Sequence, residues 1–197
     1  MRCNVFSCYR TAKIGKRLLL GGFLVVLFIG LASCNRGRMA YEIDRLIGTD
    51  IVVPWDSLYN PHKKINGGCF QGKYMYVVYY DSAVCSVCNL KNMYYWETLR
   101  DSLKSQKQSV DFVFIFAPPE NGIRTFINEL RYIKNDFVIL VDTTGVFRRK
   151  NVQISNNLNL HAFLLNRDKK ILMVGNAQRN PAVEELLWKK LRDNDEK

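Results

Sequence analysis

Cys85 and Cys88 are the residues of this chain whose types and spacing most directly suggest chemistry. They stand in the stretch "AVCSVCNL", with Ser86 and Val87 between them. Two cysteines at this spacing can form a redox-active disulfide, supply two thiolates to a metal site, or lie close together without a shared role. The predicted secondary structure on either side of the two cysteines helps to decide among these three roles.

An apolar run precedes the pair, and a helical pattern follows it. "KYMYVVYY" is rich in β-branched and aromatic residues on both faces, which predicts a central, buried strand. "SVCNLKNMYYWETLRDSLKSQ" carries apolar residues at the spacing of one helix with a buried stripe, namely Leu90, Met93, Tyr94, Trp96, Leu99 and Leu103. The cysteines are therefore predicted at the point where a buried strand gives way to a helix.

The rest of the chain predicts further strands and helices in a regular order. "VDFVFIFAPP" and "DFVILVD" indicate two more buried strands, with the helix "ENGIRTFINELRYIKN" between them. "LHAFLLN" and "KKILMVG" predict an antiparallel hairpin around the turn "NRDK", and "TDIVVPW" predicts a short strand ended by Pro54. A last helix begins near Pro181. The order β-α-β-α-β-β-α predicts an α/β fold, in which a central mixed sheet of parallel βαβ units and a C-terminal antiparallel hairpin is flanked by helices.

This order, with a Cys-x-x-Cys directly after the first strand of the βαβ unit, resembles the thioredoxin superfamily. The wider similarity is to exported, lipid-tethered thiol-disulfide oxidoreductases, and it extends over about residues 50–190. The segment "HAFLLNRDKKI" looks like that group's "proline-Thr-Phe-Leu-Ile-Asp-x-x-Gly-Lys-Ile". The resemblance implies that Cys85 attacks a disulfide and that Cys88 resolves the mixed disulfide. A helix N-terminus favours the thiolate that such an attack requires.

Three positions depart from that group's pattern. Val84 stands where Trp is usual before the first cysteine, and Tyr79 stands where many members carry a buried Asp or Asn. His161 takes the place of the cis-proline that faces the cysteines. A cis bond before a residue other than proline costs about 2.5–4 kcal/mol, so the bond before His161 is predicted to be trans and the substrate groove to differ. The His161 imidazole is either a satisfied loop-end group or an acid-base partner of Cys85.

Two other functions stay open on the residues alone. Cys85, Cys88 and His161 could form a two-sulfur, one-nitrogen site for copper or zinc, because soft thiolates with imidazole suit these metals. The domain could also be an interaction module that has kept the fold and lost the chemistry. A purely structural disulfide is disfavoured, because so short a ring constrains the unfolded chain little.

The N-terminal segment predicts export. Residues 1–17 contain five Lys or Arg and no acid, and the uncharged run from Leu18 to Cys34 ends in "LASC". "LASC" resembles the lipobox of bacterial lipoproteins, which implies cleavage before Cys34 and its lipidation. We therefore predict a signal peptide over 1–33, a lipidated tether with a short helix over 34–48, and a thioredoxin-like domain over 49–197. The expected location is the bacterial cell envelope, facing the periplasm.

The net charge and the number of cysteines limit the classes of binding partner that we expect. The net charge is +11, and it falls to +6 without the five basic residues of 1–33. No basic stripe interleaved with aromatic residues is present, so no nucleic-acid partner is expected. The expected partners are protein or small-thiol disulfides, a membrane redox protein, and the membrane through the lipid anchor. Of the six cysteines, Cys69 is left as a quiet thiol or a third redox thiol.

Overall fold

The structure, a computed structural model, describes residues 37–61, 72–133 and 136–195. The chain divides into two compact units, Met1–Asp44 and Arg45–Lys197. The described residues of the first unit are helical, with an ion pair of 3.2 Å between Arg38 Nε and Glu42 Oε1. Within the described ranges, no helix is both long and apolar enough to cross a membrane.

The second unit is built on a five-stranded sheet. Its strands are β1 (Tyr74–Tyr80), β2 (Val110–Phe116), β3 (Val138–Val141), β4 (Ala162–Leu165) and β5 (Ile171–Val174). The spatial order is β3-β2-β1-β4-β5, in which β1 is parallel to β2 and β2 to β3, whereas β4 is antiparallel to both β1 and β5. The central position of β1, the parallel crossovers and the terminal hairpin are all confirmed, and with them the predicted mixed sheet.

The helices are α1 (Ser86–Lys91), α2 (Tyr94–Ser105), α3 (Ile123–Tyr132), α4 (Val146–Lys150) and α5 (Pro181–Asp195). The prediction of one continuous helix after the cysteines was wrong, because the chain bends between Lys91 and Tyr94. Asn92 ends α1 with its N–H donated to carbonyls of the last turn, and asparagine is a poor residue for helix interiors. The bend leaves Tyr94 half exposed, at 51%, although it was predicted in the buried stripe.

Alternating residues of β1 face two different layers. Tyr76, Val78 and Tyr80 point into a core shared with α1, α2, α3 and α5, where Trp96 is fully buried. On the opposite face, the Tyr79 ring packs on Phe147 of α4, with 4.8 Å between the ring centroids. A strand that is buried on both faces reads as a continuous apolar run, as the sequence of β1 does.

The predicted strand "TDIVVPW" is absent from the described sheet. In this segment the structure has one isolated bridge, between Asp50 and Lys170. The buried Asn151 side chain takes the place of a neighbouring strand, because its Oδ1 accepts from Val52 N at 2.8 Å and its Nδ2 donates to Val52 O at 2.8 Å. Pro54, which has no N–H, cannot extend a ladder further.

Candidate redox site

Cys85 and Cys88 form a disulfide at the carboxyl end of β1, with 5.3 Å between their Cα atoms. Cys85 is the N-cap residue of α1, and its Sγ accepts a hydrogen bond from Cys88 N at 3.2 Å. Both residues are exposed to solvent.

Asn89 fixes the backbone of Cys85. Its N–H and its side-chain Nδ2 both donate to the Cys85 carbonyl oxygen, at 3.1 and 2.9 Å. The side chain is 8% exposed, so it is held in place by packing as well as by hydrogen bonding. The sequence alone did not single out Asn89. Its position four residues after Cys85 in a helix is nevertheless the spacing at which such a contact forms.

The turn before the cysteines is organised by Asp81. The Asp81 Oδ1 accepts from Ala83 N at 3.1 Å, and the Asp81 carbonyl oxygen accepts from Val84 N at 3.0 Å. Val84 is half-buried and packs against the core. These contacts pre-form the loop that carries Cys85.

The residues between the two cysteines face inwards. Val87 packs against the core, and Ser86 is 5% exposed. The Ser86 hydroxyl has no hydrogen-bond partner among the described residues. The inward positions of Ser86 and Val87 explain why both cysteines are directed towards the surface.

His161 lies at the predicted place, immediately before β4. Its carbonyl oxygen accepts from Tyr79 N at 2.8 Å, which joins it to the end of β1 from which the cysteine loop leaves. All described peptide bonds are trans, including the one before His161, as predicted. The backbone of His161 thus reaches the strand end that carries the redox loop.

The imidazole of His161 faces the α4 side of the sheet. It is 3% exposed, its Nε2 lies 2.8 Å from Ser155 O, and its ring centroid lies 5.4 Å from that of Tyr79. Since a carbonyl only accepts, Nε2 carries the proton and Nδ1 is the bare acceptor, which has no partner among the described residues. The described contacts of the ring are with Ser155, Tyr79 and Arg148, and none is with Cys85 or Cys88.

The ionisation of His161 follows from this environment. Burial lowers the pKa of His161 below its ordinary value, although the hydrogen bond to Ser155 O opposes the shift. The Arg148 guanidinium, with Nη1 3.3 Å from Nε2, lowers the pKa further, and the Asp81 carboxylate raises it. Burial likewise raises the pKa of the adjacent Tyr79 well above its usual range. The His161 imidazole and the Tyr79 phenol are therefore both uncharged at neutral pH.

These residues do not fit a copper or zinc site. In the described part of the chain, no three His, Cys, Asp or Glu side chains are close enough to share a metal ion. The guanidinium of Arg148, with Nη1 3.3 Å from Nε2, would repel a cation at the His161 ring. Cys69, the predicted third thiol, and Cys34, the predicted lipidation site, lie outside the described residues.

Sequence reasoning could not have found the partners of the His161 ring. Ser155 and Arg148 precede it in an irregular segment and the short α4, and neither position has a periodic or motif signal. Only the folded chain brings them to His161.

No family model and no curated protein matches the chain. Solved structures match at low identity. A candidate thiol:disulfide interchange protein DsbE from Chlorobium tepidum is 16% identical, with a TM-score of 0.49 over 74% of this chain and 97% of that one. A thioredoxin-like protein from Bacteroides caccae is 18% identical, with a TM-score of 0.44 over 73% of this chain and 50% of that one. Yeast Sco1 with copper bound is 12% identical, with a TM-score of 0.44 over 72% and 90%.

At these identities and TM-scores, the activities of the matched proteins do not transfer to this chain. Its class follows from its own topology. The strand order β3-β2-β1-β4-β5, the parallel crossovers, and helices on both faces of the sheet define a thioredoxin-like fold. The Cys-x-x-Cys lies directly after the central strand of that fold.

Proposed function

We propose that this protein is a thiol-disulfide oxidoreductase that acts through Cys85 and Cys88. One observation carries the proposal: the two cysteines are joined in an exposed disulfide, in a pre-formed loop at the carboxyl end of the central strand. A disulfide that closes so short a ring contributes little to stability. Exposure to solvent, by contrast, is what exchange with another disulfide requires.

The reaction is a reversible two-electron exchange. In the reduced protein, the Cys85 thiolate attacks one sulfur of a substrate disulfide and expels the other sulfur as a thiolate. Cys88, as its thiolate, then attacks the Cys85 sulfur of the mixed disulfide and releases the second substrate thiolate. The pair is oxidised by two electrons, and the substrate disulfide is reduced to two thiols. The reverse sequence oxidises a dithiol.

Cys85 is the attacking residue in this proposal because the surrounding backbone favours its thiolate. The Cys88 N–H points at Cys85 Sγ, and a backbone donor stabilises a sulfur that carries negative charge. The two bonds from Asn89 to the Cys85 carbonyl keep the N-cap geometry in which that donor is aligned. Cys88 lies within the helix and receives no comparable hydrogen bond from a described residue.

The site of action is proposed to be the bacterial cell envelope. The basic start, the apolar run and the "LASC" sequence support export and a lipid anchor on Cys34. An exported domain meets an oxidising environment in which disulfides persist. Its partners are then protein or small-thiol disulfides on one side and a membrane redox protein on the other.

A trapping experiment tests which cysteine attacks. Cys88→Ser removes the resolving thiol, so that the mixed disulfide at Cys85 should accumulate when the variant meets a dinitrobenzoate disulfide. Cys85→Ser is the matched control, and it should react at least about tenfold more slowly, because Cys88 lacks the N–H donor. The adduct is read by mass on the tryptic peptide Tyr74–Lys91, so the other cysteines of the full chain do not interfere.

Equal reaction rates in the two variants would contradict the assignment of Cys85. A pair that cannot be reduced in the wild-type protein by excess dithiothreitol would instead support the inert interaction module. Protection of the reduced pair until a chelator is added would support the copper or zinc alternative.

A further inference from the structure

The disulfide loop leaves β1 between two neighbouring segments. On one side, residues 157–161 adjoin it, because the His161 carbonyl accepts from Tyr79 N. On the other side, residues 117–119 adjoin it, because Ala117 N donates to Tyr80 O at 2.9 Å. A substrate chain that bound beside the disulfide as an added strand would have to pair with one of these segments or with the loop itself.

Strand addition depends on main-chain groups that are free to pair. The incoming peptide forms a ladder with alternate residues of an extended edge, and this edge must offer N–H donors as well as carbonyl acceptors. An edge whose donors are already engaged gives a peptide no more than isolated contacts.

The segment on the His161 side has its donors engaged internally. Asn157 N donates to Ser155 Oγ at 2.9 Å, and Asn159 N donates to Asn157 Oδ1 at 3.1 Å. Leu160 N donates to Asn157 O at 2.9 Å, and His161 N to Leu158 O at 3.4 Å. Four of the five N–H groups in 157–161 are thus engaged, and both alternate sets of residues are interrupted. Leu158–Leu160 is also a 3₁₀ turn, which is not extended.

The segment 117–119 and the disulfide loop also have N–H donors that are engaged or absent. Ala117 N donates a hydrogen bond to Tyr80 O, and Pro118 and Pro119 have no N–H. Within the loop, Ala83 N and Val84 N both donate to Asp81. Most of the N–H donors beside the disulfide are therefore engaged or absent.

We propose that the substrates of this site are low-molecular-weight disulfides, recognised at their sulfurs, and not extended polypeptides bound along their main chain. The inference rests on the proposed oxidoreductase function and deepens it. A small disulfide needs only in-line access to a sulfur, and Cys85 and Cys88 are both exposed. One small disulfide accepts two electrons from the Cys85–Cys88 dithiol and yields two small thiols, while the protein disulfide re-forms.

The test compares substrates that share one reactive bond. The first is the glutathione mixed disulfide of N-acetylcysteine amide. The second carries the same mixed disulfide on the central cysteine of an unstructured eleven-residue peptide. The third is that peptide with N-methylated backbone amides next to the cysteine. The full-length chain, reduced and held in mild detergent, is mixed with each and quenched at rapid intervals. The second-order rate constant is taken from the loss of alkylatable thiols on the tryptic peptide Tyr74–Lys91.

The expected result is that the eleven-residue peptide reacts no more than about twofold faster than the small substrate and that N-methylation changes nothing. A rise of tenfold or more with peptide length, abolished by N-methylation, would overturn the proposal. Failure of the wild-type dithiol to react with any of the three would instead overturn the oxidoreductase function on which it rests.

Two variants test whether the engaged N–H donors are what prevents an extended peptide from binding. Asn157→Ala removes the acceptor that engages Asn159 N, so the freed donor should make the long peptide react about threefold faster than in the wild type. Asn176→Ala removes the same kind of cap, from Gln178 N on another 3₁₀ turn, and should leave the rate with each substrate unchanged. An Asn157→Ala protein with no gain on the long peptide would overturn the assignment to engaged donors.

Discussion

His161 keeps a neutral imidazole in a buried position, next to a permanent cation. Its Nε2–H is donated to Ser155 O, and the Arg148 guanidinium lies on the same side of the ring. A second proton on the ring would create an imidazolium that is both desolvated and close to Arg148. The structure therefore assigns the ring to the α4 side of the sheet, and the acid-base role considered for it towards Cys85 stays a prediction.

The pKa of His161 predicts a dependence of stability on pH. Because the pKa is lowered in the folded protein, the unfolded chain binds the proton more tightly. The stability from the neutral ring is then fully present above about pH 6.5 and is lost as the pH falls towards the lowered value, by at most about 1.4 kcal/mol per pH unit. Urea unfolding from pH 8 to pH 5 should show this loss in the wild type and a smaller one in His161→Gln.

If His161→Gln kept the wild-type difference in unfolding free energy between pH 8 and pH 5, the ring would not be the group that titrates.

The central strand β1 is linked to the turn after β5 by the buried hydroxyl of Tyr76. The Tyr76 hydroxyl donates to Gly175 O at 2.5 Å and accepts from Ala177 N at 3.1 Å. Gly175 has a φ of +136°, and a Cβ there would meet Val183 Cγ1 at 3.0 Å, so glycine is required at this turn. The central strand and the helix that follows the turn are thereby linked.

Tyr76→Phe should lower the free energy of unfolding by about 1–3 kcal/mol, because it leaves Gly175 O and Ala177 N buried without their partner. Tyr74→Phe is a matched control on the same strand and the same face. The Tyr74 hydroxyl is buried and has no partner among the described residues, so its removal should cost nothing measurable. Equal losses of unfolding free energy in the two variants, measured by chemical denaturation, would show that the Tyr76 hydrogen bonds to Gly175 and Ala177 do not stabilise the fold.

Element by element, the fold was predictable wherever a local pattern determined it. β1 was predictable because its apolar residues on both faces require a central strand, and the hairpin was predictable because "NRDK" separates two apolar runs. The segment around Val52 was not, because Asn151, 99 residues later, takes the place of its strand partner. At the site, the cysteines were evident from their spacing, whereas the ring partners of His161 depend on tertiary structure.

In the whole protein, we propose that a redox domain is attached to a membrane by an N-terminal lipid anchor. The thioredoxin-like fold follows from the sheet order, whereas export and lipidation rest on the N-terminal sequence. A tether would keep an exposed Cys85–Cys88 pair near a membrane redox partner and raise its effective concentration there.

The proposed anchor predicts a defined mature N-terminus. Expressed in a bacterium with a lipoprotein pathway, the full chain should be recovered as a species that begins at Cys34 and carries a diacylglyceryl group. Cys34→Ser should abolish that mass, and Cys8→Ser, within the predicted signal peptide, should leave it unchanged. Intact-mass and peptide-mass measurements identify the N-terminal residue and its acylation. A chain that still begins at Met1 would contradict the lipoprotein assignment.

The proposed function requires Cys85 and Cys88 to interconvert reversibly between dithiol and disulfide. The most direct test equilibrates the full chain in glutathione buffers of graded potential, alkylates the free thiols, and counts them by mass on the peptide Tyr74–Lys91. We predict one reversible two-thiol transition that is lost in Cys85→Ser. Its midpoint distinguishes a reductant, at about −270 mV, from an oxidant, at about −120 mV. A pair that stays fully alkylated, or fully protected, at every potential would contradict this prediction.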